Sequence, residues 1–247
     1  MSGNKWIMNP KNIQEAEYKL FCIPYAGGGA TVFREWQKQF GDKLCVCPIQ
    51  LPGRESRMSE PLVSDIHTLA DMIYDGIKDQ LDCRFSIFGH SMGGMIAYEV
   101  TRRIMDNSDK APEILFLSGT SLTRRKKKIP VSHLDDEMLF NYLINLGGIE
   151  PGLFQNDTIK KMYMDSYFPI IKNDYTLIEQ YTCEPYKLGC RVTAFAGRDD
   201  GEISDIESRE IEWFAEHFTI RFFDGGHFFI NDSIRDVCAE IIREVGI

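Results

Sequence analysis

The stretch that decides the fold lies at residues 85–94 and reads FSIFGHSMGG. Residues 85–88 form an apolar run typical of a buried strand, and a helical pattern continues over residues 92–105. Between them stands the pattern G-x-S-x-G, with Ser91 at its centre. The two glycines leave room for a serine on a sharp turn between strand and helix. The stretch therefore predicts a strand–turn–helix unit with Ser91 at its tip.

Outward from this unit, short apolar runs alternate with longer helical patterns. Candidate strands lie at 20–24, 44–49, 85–88, 114–117, 192–196 and 219–223, and candidate helices at 31–40, 69–80, 92–105, 207–216 and 234–244. Strands separated by helices form parallel pairs joined by right-handed crossovers, and both faces of such a sheet are covered. The pattern therefore predicts an α/β protein with a mostly parallel central sheet, helices on both faces and a ligand site at the carboxyl ends of the strands.

The alternation breaks between about residues 121 and 185, where two or three helical segments follow one another without a strand pattern. We interpret this segment as a helical cap inserted into a single domain that spans residues 1–247. Its aliphatic and aromatic side chains stand at helical spacing, so they either line a channel for an acyl chain or pack the cap onto the sheet. They are Leu139, Tyr142, Leu143, Met162, Tyr163, Tyr167 and Phe168.

Composition excludes several classes of protein. The chain has 247 residues, of which 43% are hydrophobic, and this suits one globular domain with a sizeable core. No run approaches the roughly 18 apolar residues of a membrane span, and residues 1–11 lack the pattern of a signal peptide. The formal net charge of −9 disfavours binding to nucleic acid or anionic membranes. We expect a cytoplasmic monomer that needs no cofactor.

The seven cysteines are expected to be reduced thiols, because several stand in apolar, strand-like runs. Cys45 and Cys47 form a C-x-C pair, but the chain has no second cysteine pair or suitably spaced histidine to complete a zinc site. We therefore expect no structural metal.

A serine hydroxyl needs a base to take its proton and a carboxylate to orient that base. In α/β-hydrolases, where G-x-S-x-G forms such a turn, the acid and then the histidine follow the serine along the chain. Of the five histidines, His67 precedes the serine, His90 adjoins it, His133 lies in the cap, and His217 falls at the end of a helical pattern. His227 remains, in a glycine-rich loop after the last candidate strand, and we predict that it is the base.

The acid is expected in the loop GRDDG at residues 197–201, which follows the strand at 192–196. One of its two aspartates should orient the histidine. We favour Asp200 over Asp199, because its G-x-x-D position fits the usual acid loop of this fold. Asp224 is nearer to His227 in sequence, but we expect it to shape the turn.

Two backbone N–H groups are needed to stabilise the oxyanion of the tetrahedral intermediate. The loop PYAGGG at residues 24–29 follows the first strand, and the helix after Ser91 directs its N-terminus at the same place. We assign the N–H groups of Ala26 and Met92 to this role. The glycine run could also hold a phosphate, but it lacks the patterns of a nucleotide site.

Four motifs together resemble the stand-alone type II thioesterases of nonribosomal peptide and polyketide synthetases, and the related medium-chain thioesterase of animal fatty acid synthesis. The motifs are PYAGG at 24–28, LPGRESR at 51–57, GHSMGG at 89–94 and DGGHF at 224–228. The resemblance covers nearly the whole chain, and it implies the α/β-hydrolase fold.

The resemblance implies that Ser91, Asp200 and His227 form a catalytic triad. It also implies that the substrate is an acyl group on the phosphopantetheine arm of a carrier protein, and that the enzyme clears stalled or wrongly primed acyl groups. Two other functions stay open. One is a general carboxylesterase or lipase, since a triad alone does not distinguish an ester from a thioester. The other is a silent binding protein on the same scaffold, although the intact triad residues argue against it.

One basic run stands out in the acidic chain. Because a carrier protein is usually acidic, this run could dock the carrier or contact the phosphate of its arm, and the alternative is a solvated loop. Its members are Arg124, Arg125, Lys126, Lys127 and Lys128.

Overall fold

The computed structural model describes residues 4–8, 13–123, 129–150, 152, 154, 156–184 and 186–247. At its centre is a six-stranded sheet in the order β2-β1-β3-β4-β5-β6, and every neighbouring pair of strands is parallel. The strands are β1 Tyr18–Ile23, β2 Cys45–Pro48, β3 Arg84–His90, β4 Ile114–Ser118, β5 Leu188–Gly197 and β6 Ala215–Phe223. Each of the six predicted strands lies in this sheet, and the predicted α/β fold is confirmed.

Helices connect the strands. The α-helices are α1 Trp36–Phe40, α2 Ile66–Ile77, α3 Met92–Asn107, α4 Asp136–Asn145, α5 Asp157–Gln180, α6 Asp205–Arg209, α7 Phe229–Asp232 and α8 Ile234–Val245. Short 3₁₀ turns occupy Ala30–Phe33, Glu55–Arg57, Lys78–Gln80, Val131–His133 and Glu210–Phe214. Side-chain hydrogen bonds cap the N-termini of several helices. At α2, for example, the Asp65 carboxylate accepts the N–H of Thr68, one of the first-turn donors without a helical partner.

Two helix predictions were partly wrong. The segment at 31–40 is a 3₁₀ turn followed by the short α1. The segment at 207–216 divides into the end of α6, a 3₁₀ turn and the first residues of β6, so His217 lies in a strand. Ala215 pairs with Leu188 and His217 with Arg191 of β5. The hydrogen bonds of this ladder outweigh the helix propensity of the glutamate-rich segment.

Successive side chains along each strand point to opposite faces of the sheet, and they build a core on each face. On β3, Phe85 and Ile87 point to the face covered by α2, α3 and the cap helices, whereas Phe88 points to the face covered by α1 and α8. On the second face Trp36 of α1 packs edge-on against Phe88, with ring centroids 4.8 Å apart. Full burial of each such side chain contributes roughly 1.5–3 kcal/mol. Strands β1 to β4 are buried on both faces over nearly all of their length, as their apolar runs indicated, whereas most residues of β6 are only partly buried.

The described residues between β4 and β5 form the Val131–His133 turn, α4 and α5, and contain no strand. Leu139, Leu143 and Phe168 are buried in the same cluster as α3, so these three pack the cap onto the body of the protein. Met162 and Tyr167 are 65% and 43% exposed. Among the described residues, none of the helices combines the length and the apolar run that crossing a bilayer requires.

All seven cysteines are reduced thiols. Five are buried, and Cys83 and Cys183 are partly exposed. Cys45 and Cys47 stand two residues apart on β2, with their sulfur atoms 3.8 Å apart. Within the described ranges, no group of three or more histidine, cysteine or acidic side chains is placed to share a metal ion.

Candidate active site

The three predicted triad residues follow three different strands of the sheet. Ser91 follows β3, Asp200 follows β5, and His227 follows β6. Since all these strands are parallel, their carboxyl ends lie at one edge, where ligand sites form in open α/β sheets. Three residues that are far apart in the chain therefore meet at this edge.

Ser91 stands on a strained turn. Its backbone has φ 55 and ψ −117, and its N–H donates to the carbonyl of Ser118 at 2.8 Å. A methyl group at Gly89 would clash with the carbonyl of Gly93, and one at Gly93 would clash with the carbonyl of Ile23. Only glycine fits at these two positions, because the turn presses α3 against β3 and β1. The turn leaves the Ser91 hydroxyl at the carboxyl edge of the sheet, within reach of the loop that carries His227.

The three side chains form a continuous hydrogen-bonded chain. The Ser91 hydroxyl lies 2.9 Å from Nε2 of His227, and Nδ1 of His227 lies 2.9 Å from Oδ2 of Asp200. The other oxygen of Asp200 accepts the N–H groups of Glu202 at 2.8 Å and Ile203 at 3.0 Å. Because an ionised carboxylate is acceptor only, Nδ1 donates to it and Nε2 is left to accept the serine proton.

The two aspartates of the acid loop differ in their surroundings. Asp200 is bonded to His227. The side chain of Asp199 is exposed, and its main-chain N–H donates to the carbonyl of Gly225 at 3.0 Å. Asp224 is 95% exposed and pairs with Arg198. Only Asp200, of these three aspartates, reaches the histidine.

Electrostatics keep Asp200 ionised. Burial alone would raise the pKa of its carboxyl group, but the hydrogen bond and charge of His227 and the N–H groups of Ile203 and Glu202 together hold the pKa below its ordinary value. A carboxylate that stays charged can hold the imidazole in one tautomer and stabilise the imidazolium that forms on proton transfer.

His90, which precedes Ser91, lies behind the site. Its Nδ1 is 2.9 Å from the hydroxyl of Ser118, and its ring centroid is 5.3 Å from that of His227. Burial, followed by the nearby charge of His227, lowers the pKa of His90 from 6.5 to about 3. The ring is therefore neutral at ordinary pH, and it packs against the ring of His227 without placing a positive charge beside it.

We expect the protein to lose stability in acid, because the pKa of His90 is lower in the folded protein than in the unfolded chain. Below pH 6.5 the unfolded chain binds a proton at this residue, but the folded protein does not until about pH 3. This contribution to stability is complete above pH 6.5 and is lost as the pH falls toward 3, with a slope of up to about 1.4 kcal/mol per pH unit. His90→Gln should show a flatter decline in the free energy of unfolding, measured by urea denaturation across this range. Equal slopes for the variant and the wild type would contradict the assignment.

The segments that carry the two predicted oxyanion donors are neighbours in the structure. Ile23 pairs with Gly89, so the loop after β1 runs next to the turn after β3. Met92 is the first residue of α3, and Ala26 lies in the neighbouring loop. Within the described part of the chain, neither N–H has a protein acceptor. Both groups are thus available to a negatively charged oxygen.

Aromatic rings shield the histidine. Phe228 lies edge-on to His227 with centroids 5.2 Å apart, and Tyr25 lies edge-on to Phe228 at 4.9 Å. Phe228 also contacts the cap, because a Cβ on Gly148 would stand 3.0 Å from its ring. These rings lower the local polarity around the imidazole, which strengthens its hydrogen bonds to Ser91 and Asp200.

Sequence reasoning missed Asp174 of α5, which is fully buried and bonds both to Arg54 and to the loop after β1. The sequence did contain a signal for this buried carboxylate. Asp174 stands three and four residues from Ile170, Ile171, Leu177 and Ile178, so it is a carboxylate on the apolar face of a helix. A charged group in that position needs a buried partner. The basic run Arg124 to Lys128 lies outside the described residues.

A family model described as a thioesterase domain matches residues 18–245. The chain belongs to the thioesterase family. This makes it a hydrolase of thioesters, as predicted from the motifs.

Similarity to individual proteins extends along most of this thioesterase. The gramicidin S biosynthesis protein GrsT of Aneurinibacillus migulanus is 33% identical over 93% of this chain and 90% of its own length. The medium-chain S-acyl fatty acid synthase thioesterase of Homo sapiens is 35% identical over 90% and 84%. The solved structure of BorB, a type II thioesterase from the borrelidin biosynthetic cluster, matches with a TM-score of 0.85 at 28% identity and covers 97% of each chain. The predicted resemblance to type II thioesterases is confirmed.

Proposed function

We propose that this thioesterase uses Ser91 as its nucleophile and hydrolyses acyl groups held on the phosphopantetheine arm of carrier proteins. In this role it clears stalled or wrongly primed acyl groups during nonribosomal peptide or polyketide synthesis. The observation that carries the proposal is the chain of hydrogen bonds from Ser91 through His227 to Asp200 at the carboxyl edge of the sheet.

The first half-reaction transfers the acyl group to the enzyme. His227 Nε2 takes the proton of Ser91 as Oγ attacks the thioester carbonyl, and Asp200 stabilises the resulting imidazolium. The N–H groups of Ala26 and Met92 bind the oxyanion. When the C–S bond breaks, the arm leaves as a thiol with the proton from His227. A thiol has a pKa of about 8.5, far below that of an alcohol, so its departure depends little on this proton.

The second half-reaction releases the acid. Water occupies the place of the thiol, and His227 takes its proton as the oxygen attacks the acyl-serine. Collapse of the second tetrahedral intermediate returns a proton from His227 to Ser91 Oγ and frees the carboxylic acid. Every step uses side chains and N–H groups of this chain, and the overall reaction consumes one water.

The proposed partner is supported by the pathways of the relatives. GrsT is a gramicidin S biosynthesis protein, and BorB comes from a borrelidin cluster. RedJ, whose solved structure also matches this chain, is a thioesterase from the prodiginine biosynthetic pathway of Streptomyces coelicolor. Docking of an acidic carrier by the run at 124–128, a monomeric state and a cytoplasmic location stay predictions.

The substrate is tested by presenting one acyl group in three forms. The forms are an ethyl ester, an N-acetylcysteamine thioester and a thioester on a phosphopantetheinylated carrier protein. We expect kcat/KM to rise in that order, with the carrier-bound form preferred over the free thioester by about tenfold or more, because contacts remote from the reacting bond contribute binding energy. Equal rates for the ester and the carrier thioester would instead identify a general carboxylesterase.

A further inference from the structure

A buried ion pair joins the cap to the body of the enzyme. Arg54 donates from Nη1 to Oδ2 of Asp174 at 2.6 Å and from Nη2 to Oδ1 at 2.8 Å. Arg54 is 5% exposed and Asp174 is 0% exposed. Taking two charges out of water is costly, and a buried pair is often no more stabilising than apolar side chains of the same size. Stability alone is therefore a weak explanation for this pair.

Both partners also bond to the main chain of the loop at 24–29. Asp174 Oδ2 accepts the N–H of Gly27 at 2.8 Å, and Arg54 Nη1 donates to the carbonyl of Gly28 at 3.1 Å. One carboxylate oxygen and one guanidinium nitrogen thus serve the ion pair and the loop at once. The loop cannot shift without weakening charge-assisted hydrogen bonds, which are stronger than neutral ones.

These bonds hold the peptide groups on both sides of Ala26. In the peptide group before it, the carbonyl of Tyr25 accepts the N–H of Gly28 at 2.9 Å. In the peptide group after it, the N–H of Gly27 donates to Asp174. The C=O and N–H of a planar trans peptide point in opposite directions, so fixing the Tyr25 carbonyl also fixes the direction of the Ala26 N–H. Gly27 completes the turn with φ 77.

The carboxylate in this network comes from the cap. Asp174 lies on α5, and Ile171, about one turn earlier, packs directly on the loop, with its Cγ1 2.7 Å from the place of a Cβ on Gly27. The position of α5 and the shape of the loop are therefore linked by a charged hydrogen bond and by packing.

The arginine comes from a strained segment of the LPGRESR motif. Glu55, which follows Arg54, has φ 49, and among the described residues only Ser91 shares a positive φ without being glycine. Such strain persists where the surroundings enforce it, and it clusters at functional sites. The Glu55 carboxylate accepts the N–H of Thr31 at 3.4 Å and also its hydroxyl proton, just beyond the loop. The segment thus supports the loop at two points.

We propose that the buried Arg54–Asp174 pair positions the oxyanion hole by tying cap helix α5 to the loop at 24–29 and thereby fixing the direction of the Ala26 N–H. This inference rests on the oxyanion role proposed above for Ala26. Arg54 and Asp174 are positioning residues, because they act on the reacting atoms only through the loop.

A donor that binds the oxyanion acts on charge that develops in the transition state, so losing its alignment lowers kcat and changes KM little. Asp174→Asn keeps the size of the side chain but removes its charge and replaces one acceptor oxygen with an NH₂ donor. With its oxygen toward Gly27 N–H and Arg54 Nη1, its NH₂ group faces the donor Nη2 of Arg54, so the bidentate ion pair that holds the loop is broken. Removal of one oxyanion donor lowers kcat by about 10²–10³-fold. Misalignment of one donor should lower kcat by about 10- to 100-fold.

The test uses the full-length enzyme with p-nitrophenyl butyrate as the substrate and 1-butaneboronic acid as the inhibitor. The boronic acid forms a tetrahedral, negatively charged adduct with the serine, and it therefore reports on the oxyanion donors. For Asp174→Asn we expect kcat to fall by the factor given above with KM nearly unchanged, and the inhibition constant of the boronic acid to rise by a similar factor.

Two further variants separate positioning from stability. Glu99→Gln disrupts another buried carboxylate, which pairs with Arg102 and Arg103 away from the loop, and it should leave kcat and inhibition unchanged. The double variant Arg54→Met with Asp174→Leu removes both charges, so it should recover most of the melting temperature lost in Asp174→Asn while kcat stays low. Recovery of kcat in the double variant, unchanged boronic acid inhibition in Asp174→Asn, or an equal loss of kcat in Glu99→Gln would overturn the inference.

The measurement does not depend on the natural substrate. If the wild type cleaves the butyrate ester through Ser91 but ignores acylated carriers, the proposed substrate fails and the positioning test still applies. If the carrier thioester is hydrolysed as proposed and Asp174→Asn matches the wild type on the butyrate ester, only the positioning inference fails.

Discussion

Replacing Ser91 with alanine is expected to lower kcat for thioester hydrolysis by about 10⁶-fold, the scale seen when a triad nucleophile is removed. Alanine lacks the hydroxyl that lies 2.9 Å from His227 Nε2, so no acyl-enzyme can form. The fold should be retained, because the turn is held by main-chain bonds from Ser91 N–H to Ser118 and from Gly94 N–H to Ser91.

The measurement is the intact mass of an acylated carrier protein after incubation with the enzyme. Wild type should remove the acyl mass, and Ser91→Ala should leave it in place. The control is Ser59→Ala, which changes an exposed serine and should behave as the wild type. Clearance of the acyl group by Ser91→Ala at a rate near that of the wild type would show that another residue is the nucleophile.

Replacing Asp200 with asparagine should lower kcat by about 10⁴-fold while leaving the structure intact. The reason lies in the bonds on the other side of the carboxylate. Glu202 and Ile203 direct their N–H groups at one oxygen of Asp200, so an asparagine would present its carbonyl to them and its NH₂ to His227. Nδ1 would then have to accept, Nε2 would carry the proton, and the imidazole could no longer take a proton from Ser91.

Asp199→Asn is the matched control for this prediction. Asp199 is exposed, and its contact to Gly225 uses only the main chain, so the variant should keep kcat near that of the wild type. Steady-state kinetics on a free thioester compares the two variants directly. If Asp199→Asn lost activity and Asp200→Asn kept it, the assignment of the acid would be reversed.

Strands were the most predictable elements of this protein. Strands β1 to β4 are buried on both faces over nearly all of their length, so each stands out as a short apolar run. The helix at 207–216 was predicted wrongly in part. Its glutamates favour a helix locally, but pairing of Ala215 and His217 with β5 is decided by a strand that begins at Leu188, which a local pattern does not reveal.

Within the site, some residues could be predicted from the sequence better than others. Ser91 could be assigned from its own neighbours, and His227 from its place after the last strand. The choice between Asp199 and Asp200 rested on a motif position alone. The side chains of adjacent loop residues point in different directions, and the sequence does not show which of the two faces His227. Asp174 received no role, because its partner Arg54 is 120 positions away and belongs to another connection of the sheet.

The sequence by itself determined what is local. An apolar strand, the G-x-S-x-G pattern and a helix pattern predict the turn at Ser91 from one stretch of the chain, because Gly89 makes room for the main chain of Gly93, four residues away. The room that Gly93 leaves is taken by the carbonyl of Ile23, which only the packed sheet brings there. Only the tertiary structure decided which aspartate meets His227, and that a buried Arg54–Asp174 pair ties the cap to the loop carrying Ala26. Those contacts join loops that leave different strands. Their geometry depends on the register of the whole sheet and on the packing of α5, and no single stretch of the chain encodes it.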